Sequence, residues 1–323
     1  MPHWGTGGRA SREPRSHSPL FPAFSSAIVI NSPNSDTRNR VPAGDWEILR
    51  MNKARLKHLL IGEFSVRRCI RSFLLIYACV MAYAFLVSNR MIFPARPATY
   101  KDSAEISKLK TEDGIAISAI YLQNPAAPYT VLYSHGNAED LAEIQPFLAE
   151  YHRRGYSILA YDYHGYGTSG GRPTEANAYR DIKAAYDFLI HEKHVPANRL
   201  VLHGRSVGTG PALQLASESP VAGLISESGF VSAFRVLTHI RLLPFDRFPN
   251  LRRIQHVSCP ILLIHGEADT TIPIWHSQQL FAAAPSPKYS CWVPDATHDD
   301  LPWSGEAYWN SIKSFNATLT NRP

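Results

Sequence analysis

The sequence predicts an α/β chain, a mainly parallel sheet covered on both faces by helices. After residue 100, short β-rich runs alternate with helical stretches. Several of those runs are continuously apolar, as strands buried on both faces are. One of them, Leu200-Val201-Leu202-His203, leads straight into a glycine-flanked turn and then an Ala- and Leu-containing helix.

In chain order, residues 1 to 50 are rich in Ser, Pro, Arg and Asn without strand or helix periodicity, a composition expected to stay disordered. Met51-Asn52-Lys53 offers a second start, so this extension also reads as an over-extended reading frame. Residues 51–98 read as a basic segment and an anchor. Ser72 to Ser88 is a 17-residue run without a charge, near the lower length for crossing a bilayer. Lys53, Arg55, Lys57, Arg67, Arg68 and Arg71 precede it, while Arg90, Arg96 and Lys101 follow. That bias predicts a single-pass helix with a cytoplasmic N-terminus and the domain on the exterior or periplasmic side. The rival readings are a signal peptide cut near Ala82-Tyr83-Ala84 and a helix buried against the domain. The anchor is preferred because the apolar run continues past Ala84.

Residues 99–323 read as one catalytic domain. Asp113-Gly114 turns an early strand pair, and later strands are expected at Thr130–Ser134, Ser157–Tyr161, Leu200–His203, Gly223–Ser226, Ile261–His265 and Tyr289–Val293. After Pro173, Thr174 is placed to cap a helix whose Tyr179, Ile182, Tyr186 and Leu189 recur along one core-facing stripe.

Charge excludes one class of function. Residues 1 to 71 hold 12 Lys/Arg against 5 Asp/Glu, a surplus of seven within a total of +6, so the rest of the chain is near −1. A near-neutral domain behind a basic leader fits membrane topology, not nucleic-acid binding. Cys69, Cys79, Cys259 and Cys291 lack zinc-site spacing and read as small apolar residues. Cys259 and Cys291 form the one pair that an oxidising compartment would allow to bridge.

Two segments match Gly-x-Ser-x-Gly: Gly167-Thr168-Ser169-Gly170-Gly171 and Gly204-Arg205-Ser206-Val207-Gly208. A nucleophilic serine belongs on a sharp strand-to-helix turn that lifts its hydroxyl above the sheet, and only Ser206 has a strand before it and a helix after it. Ser169 precedes Gly170-Gly171-Arg172-Pro173, a loop. A serine hydroxyl needs a histidine to take its proton and a carboxylate to orient that histidine. In chain order these follow the serine, on loops after later strands. Gly266-Glu267-Ala268-Asp269 leaves one such strand, making Asp269 the expected acid and Glu267 the fallback; Pro294-Asp295-Ala296-Thr297-His298 leaves the last, making His298 the expected base. Of the 14 histidines, His135, His164, His203 and His265 lie before or within strand ends and read as structural. Oxyanion donors are expected from the amides of Val207, after the serine, and Asn137, in the loop Ser134-His135-Gly136-Asn137-Ala138.

Together Ser134-His135-Gly136-Asn137-Ala138, Asp162-Tyr163-His164-Gly165-Tyr166-Gly167, the Ser206 turn, His265-Gly266-Glu267-Ala268-Asp269 and His298-Asp299-Asp300 resemble one branch of the α/β-hydrolases. That branch comprises small membrane-associated serine hydrolases, including animal protein depalmitoylases and their fungal and bacterial relatives, and the likeness covers roughly residues 100 to 315. It implies an α/β-hydrolase fold with a mostly parallel eight-stranded sheet, a triad of Ser206, Asp269 and His298, and a structural role for Asp162. Arg205 stands where relatives often carry an uncharged residue, and the N-terminus lacks the cysteine cluster by which depalmitoylases attach to membranes.

Gly229 to Ser258, thirty residues between the sixth and seventh strands, predicts a short cap and an open site. It alternates Phe230, Phe234, Leu237, Ile240, Leu242, Leu243 and Phe245 with Arg235, Arg241, Arg247, Arg252 and Arg253, a pattern suited either to a membrane interface or to a core with solvated arginines. Phe230 and Phe234 are the expected substrate contacts. The expected activity is acyl transfer to water from an ester or thioester of a lipid-like or acylated substrate, with no metal or organic cofactor. Two alternatives stand beside it, an aminopeptidase-like serine peptidase of the same fold and a silent membrane-tethered binding module.

Overall fold

The computed structural model describes residues 65–94, 96–285 and 287–320. The expectations for residues 1 to 50, the second start and the basic residues up to Lys57 lie outside them. Two compact units divide the chain at Val66, and everything below concerns the second, Arg67–Pro323.

Its described residues hold eight strands: β1 (Ser107–Lys110), β2 (Ala116–Leu122), β3 (Thr130–Ser134), β4 (Ser157–Tyr161), β5 (Leu200–Arg205), β6 (Gly223–Glu227), β7 (Ile261–Gly266) and β8 (Lys288–Val293). They form one sheet in the order β1-β2-β4-β3-β5-β6-β7-β8. The β1/β2 and β2/β4 pairs are antiparallel and the others parallel. The strands read from apolar runs are all present, with β5, β6, β7 and β8 one or two residues longer than expected. The added residues are polar or glycine, and ladder pairing rather than side-chain hydrophobicity extends them: Arg205 pairs with Glu227, Gly266 with Val293.

All five residues of β3 and of β4 are buried, as strands covered on both faces should be. One face of the sheet packs on α3 (Glu175–Asp187), α4 (Thr209–Glu218), α6 (Asn250–Arg253) and α7 (Trp275–Ala283); the other packs on α2 (Gln145–Arg153) and α8 (Glu306–Thr320). Helix α3 begins where expected: Thr174 is extended, and its side chain accepts the Asn177 N–H at 3.1 Å. Its stripe meets the core, with Ile182 at 1% exposure, and Leu189, expected in the same helix, lies in the π-helical turn Phe188–Glu192 that follows and is fully buried.

The apolar run lies in α1 (Val66–Ile92), 27 residues and longer at both ends than the uncharged stretch. It is long and apolar enough to cross a membrane, and its most hydropathic window is unburied. Ala82-Tyr83-Ala84 lies inside this unbroken helix. Its C-terminal half meets the domain, from the Tyr77 hydroxyl on the Leu242 carbonyl to buried Ser88, and Phe93, just beyond, stacks edge-on against Tyr163, Tyr166 and Phe248. The cap is short, carrying α5 (Ala233–Thr238) and α6. No disulfide joins Cys259 to Cys291.

Candidate active site

Ser206 follows β5 and opens a 3-10 turn (Ser206–Gly208) that runs into α4. Its φ is +53°, a left-handed conformation costly for a non-glycine residue and held here by crowding on both sides. A Cβ on Gly204 would stand 2.4 Å from the Gly208 carbonyl oxygen, and one on Gly208 would stand 2.0 Å from the Ser134 carbonyl oxygen. The two glycines of the motif therefore let strand, helix and the β3 exit loop close around the serine.

His298 sits on the loop after β8, with Nε2 3.1 Å from Ser206 Oγ and Nδ1 2.7 Å from Asp269 Oδ2. Asp269, from the loop after β7, is 5% exposed, and its Oδ1 accepts the N–H groups of Thr271 and Ile272 at 2.9 and 2.8 Å. Burial alone would raise its pKa. Hydrogen bonds from His265 and His298, the charge of His298 and the Ile272 amide outweigh burial and hold the carboxyl well below the usual carboxylate range. Glu267, the fallback acid, is solvent-exposed, and it is Asp269 that His298 Nδ1 meets. A carboxylate on Nδ1 fixes the tautomer whose Nε2 can take the Ser206 proton.

The β3 exit loop lies over the serine, and a Cβ on Gly136 would be 3.9 Å from Ser206 Cβ. The Gly136 amide is already spent on Glu139 Oε1 at 2.7 Å. Asn137 accepts the Tyr166 hydroxyl on its carbonyl at 2.8 Å and donates its side-chain amide to the Ile92 carbonyl at 2.9 Å, which sets the loop's orientation. Asn137 and Val207 line the same cavity as Ser206 and His298. That cavity has a volume of about 1110 Å³, just above the usual range for ligand sites. Phe230 and Phe234 are in its wall, and so are Val80, Tyr83 and Ala84 of α1.

The structure also brings in residues that sequence reasoning missed. Arg205 donates to both Glu139 carboxylate oxygens at 2.9 and 2.8 Å and to the His298 carbonyl at 3.1 Å, and its Nε is 3.4 Å from Glu227 Oε1. Burial opposes the Arg205 charge, but Glu139 and Glu227 raise its pKa above the usual guanidinium range. One side chain thus ties together β5, the β3 exit loop and the loop that carries His298. The unusual charge at 205 was the signal; its partner Glu139 carried none. Behind Asp269, His265 bonds the Ser277 hydroxyl at 2.6 Å and donates to the Ile272 carbonyl at 2.7 Å, bracing the acid's loop. His135, His164 and His203 are buried among other partners. Asp162 is fully buried, accepting the Leu141 amide and the Tyr100 hydroxyl, at 3.1 and 2.6 Å, as a loop-bracing acid does.

Residues 125–242 match the sequence model of the serine aminopeptidase S33 family. Human alpha/beta hydrolase domain-containing protein 17B is 36% identical over 219 residues, which is 67% of this chain and 76% of that protein. The chain belongs to the α/β-hydrolase family. The Caenorhabditis elegans alpha/beta hydrolase domain-containing protein aho-3 is 33% identical, with 71% of this chain and 70% of that protein covered. An esterase of Pyrococcus furiosus shares the fold at a TM-score of 0.60 and 19% identity, covering 70% of this chain and 97% of its own. The protein is therefore a hydrolase, and the elements that carry Ser206, Asp269 and His298 are those of the α/β-hydrolase sheet.

Proposed function

We propose that this hydrolase cleaves carboxylic esters or thioesters of lipid-like or acylated substrates through a Ser206–His298–Asp269 acyl-enzyme mechanism. The supporting observation is the unbroken hydrogen-bonded line from Asp269 through His298 to Ser206 on the wall of a large, mainly apolar cavity. Ser206 Oγ attacks the carbonyl carbon while His298 Nε2 accepts its proton. The imidazolium then protonates the departing alcohol or thiol, leaving the acyl group on Ser206. Water attacks the acyl carbonyl, gives its proton to His298, and the acid departs as the proton returns to Ser206 Oγ. The amides of Val207 and Asn137 are assigned to the oxyanion, each worth about 3 to 4 kcal/mol in sites of this kind. Phe230 and Phe234 are assigned to the acyl group. The amide-cleaving alternative needs polar groups to hold a peptide backbone, and the apolar lining favours an acyl chain instead. Helix α1 is assigned as the membrane anchor, N-terminus cytoplasmic, by its length, hydropathy and basic flank.

A fluorophosphonate probe tests the nucleophile: the full-length protein is labelled and Ser206→Ala is not. A series of acyl esters, acyl thioesters and aminoacyl amides tests the substrate class, with turnover expected on the first two. Labelling that survives Ser206→Ala, or faster cleavage of the amides, overturns the assignment.

A further inference from the structure

Half of the apolar helix is committed to the catalytic domain. The Tyr77 hydroxyl donates to the Leu242 carbonyl at 3.0 Å, Phe85 packs edge-on against Phe245 with ring centres 6.0 Å apart, and Arg247 Nε donates to Ser88 Oγ at 3.1 Å. The last turn reaches the site itself, since the Ile92 carbonyl receives the Asn137 side chain at 2.9 Å. Between these points α1 is one wall of the cavity that contains Ser206, with Val80, Tyr83 and Ala84 on its side and Val236, Leu237 and Leu243 of the cap on the other.

The two lips of that cleft are apolar and exposed. On the cap, Leu237, Ile240 and Leu242 are 69%, 61% and 55% exposed, and on α1 Val80 and Tyr83 are 49% and 61% exposed. Large apolar side chains grouped on both edges of one opening mark a surface meant for a partner rather than for water. Arg241 stands among them with a guanidinium NH₂ on the Pro244 carbonyl at 3.0 Å, the long-stemmed polar edge that interfacial surfaces carry.

We propose that the cavity opens sideways into the bilayer between α1 and the cap, and that its ligand is a long-chain acyl ester or thioester whose tail lies along α1 while the carbonyl reaches Ser206. The proposal rests on the Ser206 reading and adds the route by which the acyl chain reaches it. A helix inserted in the membrane carries the cavity mouth to the leaflet on the domain side, because the residues that form its wall belong to the apolar run. The tail then passes from lipid to protein without crossing water. Through water, every methylene of the tail would carry a hydration penalty. The carrier of the acyl group, lipid or protein, stays outside the cleft in the interface.

The test uses the full-length chain reconstituted in phosphatidylcholine vesicles, comparing 4-nitrophenyl palmitate with 4-nitrophenyl butyrate. Ala84→Trp, which narrows the cleft from the α1 side, lowers the ratio of palmitate to butyrate hydrolysis at least about tenfold. Ala84→Leu lowers it by less and serves where the larger residue prevents accumulation. Leu75→Trp, on exposed α1 surface outside the cleft, leaves the ratio at the wild-type value. A palmitoyl-peptide thioester and a phosphatidylcholine acyl ester in the same vesicles separate the carriers, and a loss in Ala84→Trp on either supports the route. A ratio within about twofold of wild type for both Ala84 variants overturns it. Wild-type protein that hydrolyses neither ester, or hydrolysis that survives Ser206→Ala, counts instead against the Ser206 reading.

Discussion

Ser169 and Ser206 sit in the same five-residue pattern and differ in what surrounds them. The Ser169 hydroxyl is fully engaged in holding loops together, accepting the Ser118 N–H at 2.8 Å and donating to the Asp162 carbonyl at 3.0 Å. Ser206 Oγ meets an imidazole at 3.1 Å, on a backbone forced to positive φ between a strand and a helix. A hydroxyl that already stitches two backbone segments has nothing left for chemistry, whereas one lifted off the sheet by a strained turn does. The flanking elements decide the role, and the pattern alone does not.

Four changes press on this contrast. The largest effect is expected from Asp269→Asn, which removes the carboxylate that sets the His298 tautomer: kcat for a short acyl ester falls about 10⁴-fold with KM little changed, measured by steady-state kinetics. Retention of wild-type kcat would break the assigned line of residues. Next comes Arg205→Gln. It leaves Glu139 and the buried Glu227 without their cation, so it costs about 3 to 5 kcal/mol in chemical denaturation and lowers kcat about ten- to a hundredfold through misplaced oxyanion and histidine loops, while Arg205→Lys restores part of each. Ser169→Ala is expected to leave kcat unchanged and to cost about 1 to 3 kcal/mol of stability, because the Ser118 amide loses its acceptor. A fall in kcat for Ser169→Ala would return that serine to the competition.

The smallest effect is a pH dependence. The Asp269 carboxyl is held below its unfolded value, so its charged form stabilises the native state above about pH 4, and that contribution is lost as pH falls from there toward the depressed folded value. The stability difference between wild type and Asp269→Asn should therefore shrink below about pH 4, followed by urea midpoints across an acid series. A difference that stays constant would mean that the carboxylate is not held by its neighbours.

The elements were legible because each is announced by local chemistry: continuous apolar runs for β3, β4, β5 and β7, an extended Thr174 before α3, a 17-residue uncharged run within α1. The meeting of Ser206, Asp269 and His298 was foreseeable too, since strand ends and chain order leave few loops on which a serine, an acid and a histidine can meet. The sequence put Asp269 ahead of Glu267, and packing separates them physically, one buried beside the imidazole and the other facing solvent. The Arg205–Glu139 pair was invisible because its members are 66 residues apart and neither follows a periodic pattern. The cap was ambiguous for a related reason. Its apolar residues divide between core, as Phe230 and Phe248 at 4% and 0% exposure, and surface, as Leu237 at 69%, and alternation does not reveal that division.

By itself the sequence determined the order of strands and helices, the turn that raises Ser206 and the apolar stretch ahead of the domain, all set by interactions within a few residues. Only the tertiary structure decided how deeply Asp269 is buried against His298, which arginine bridges three loops, and that α1 forms a wall of the Ser206 cavity. These depend on which distant surfaces come to share a boundary, and burial, charge pairing and cavity shape are properties of that boundary rather than of any one segment.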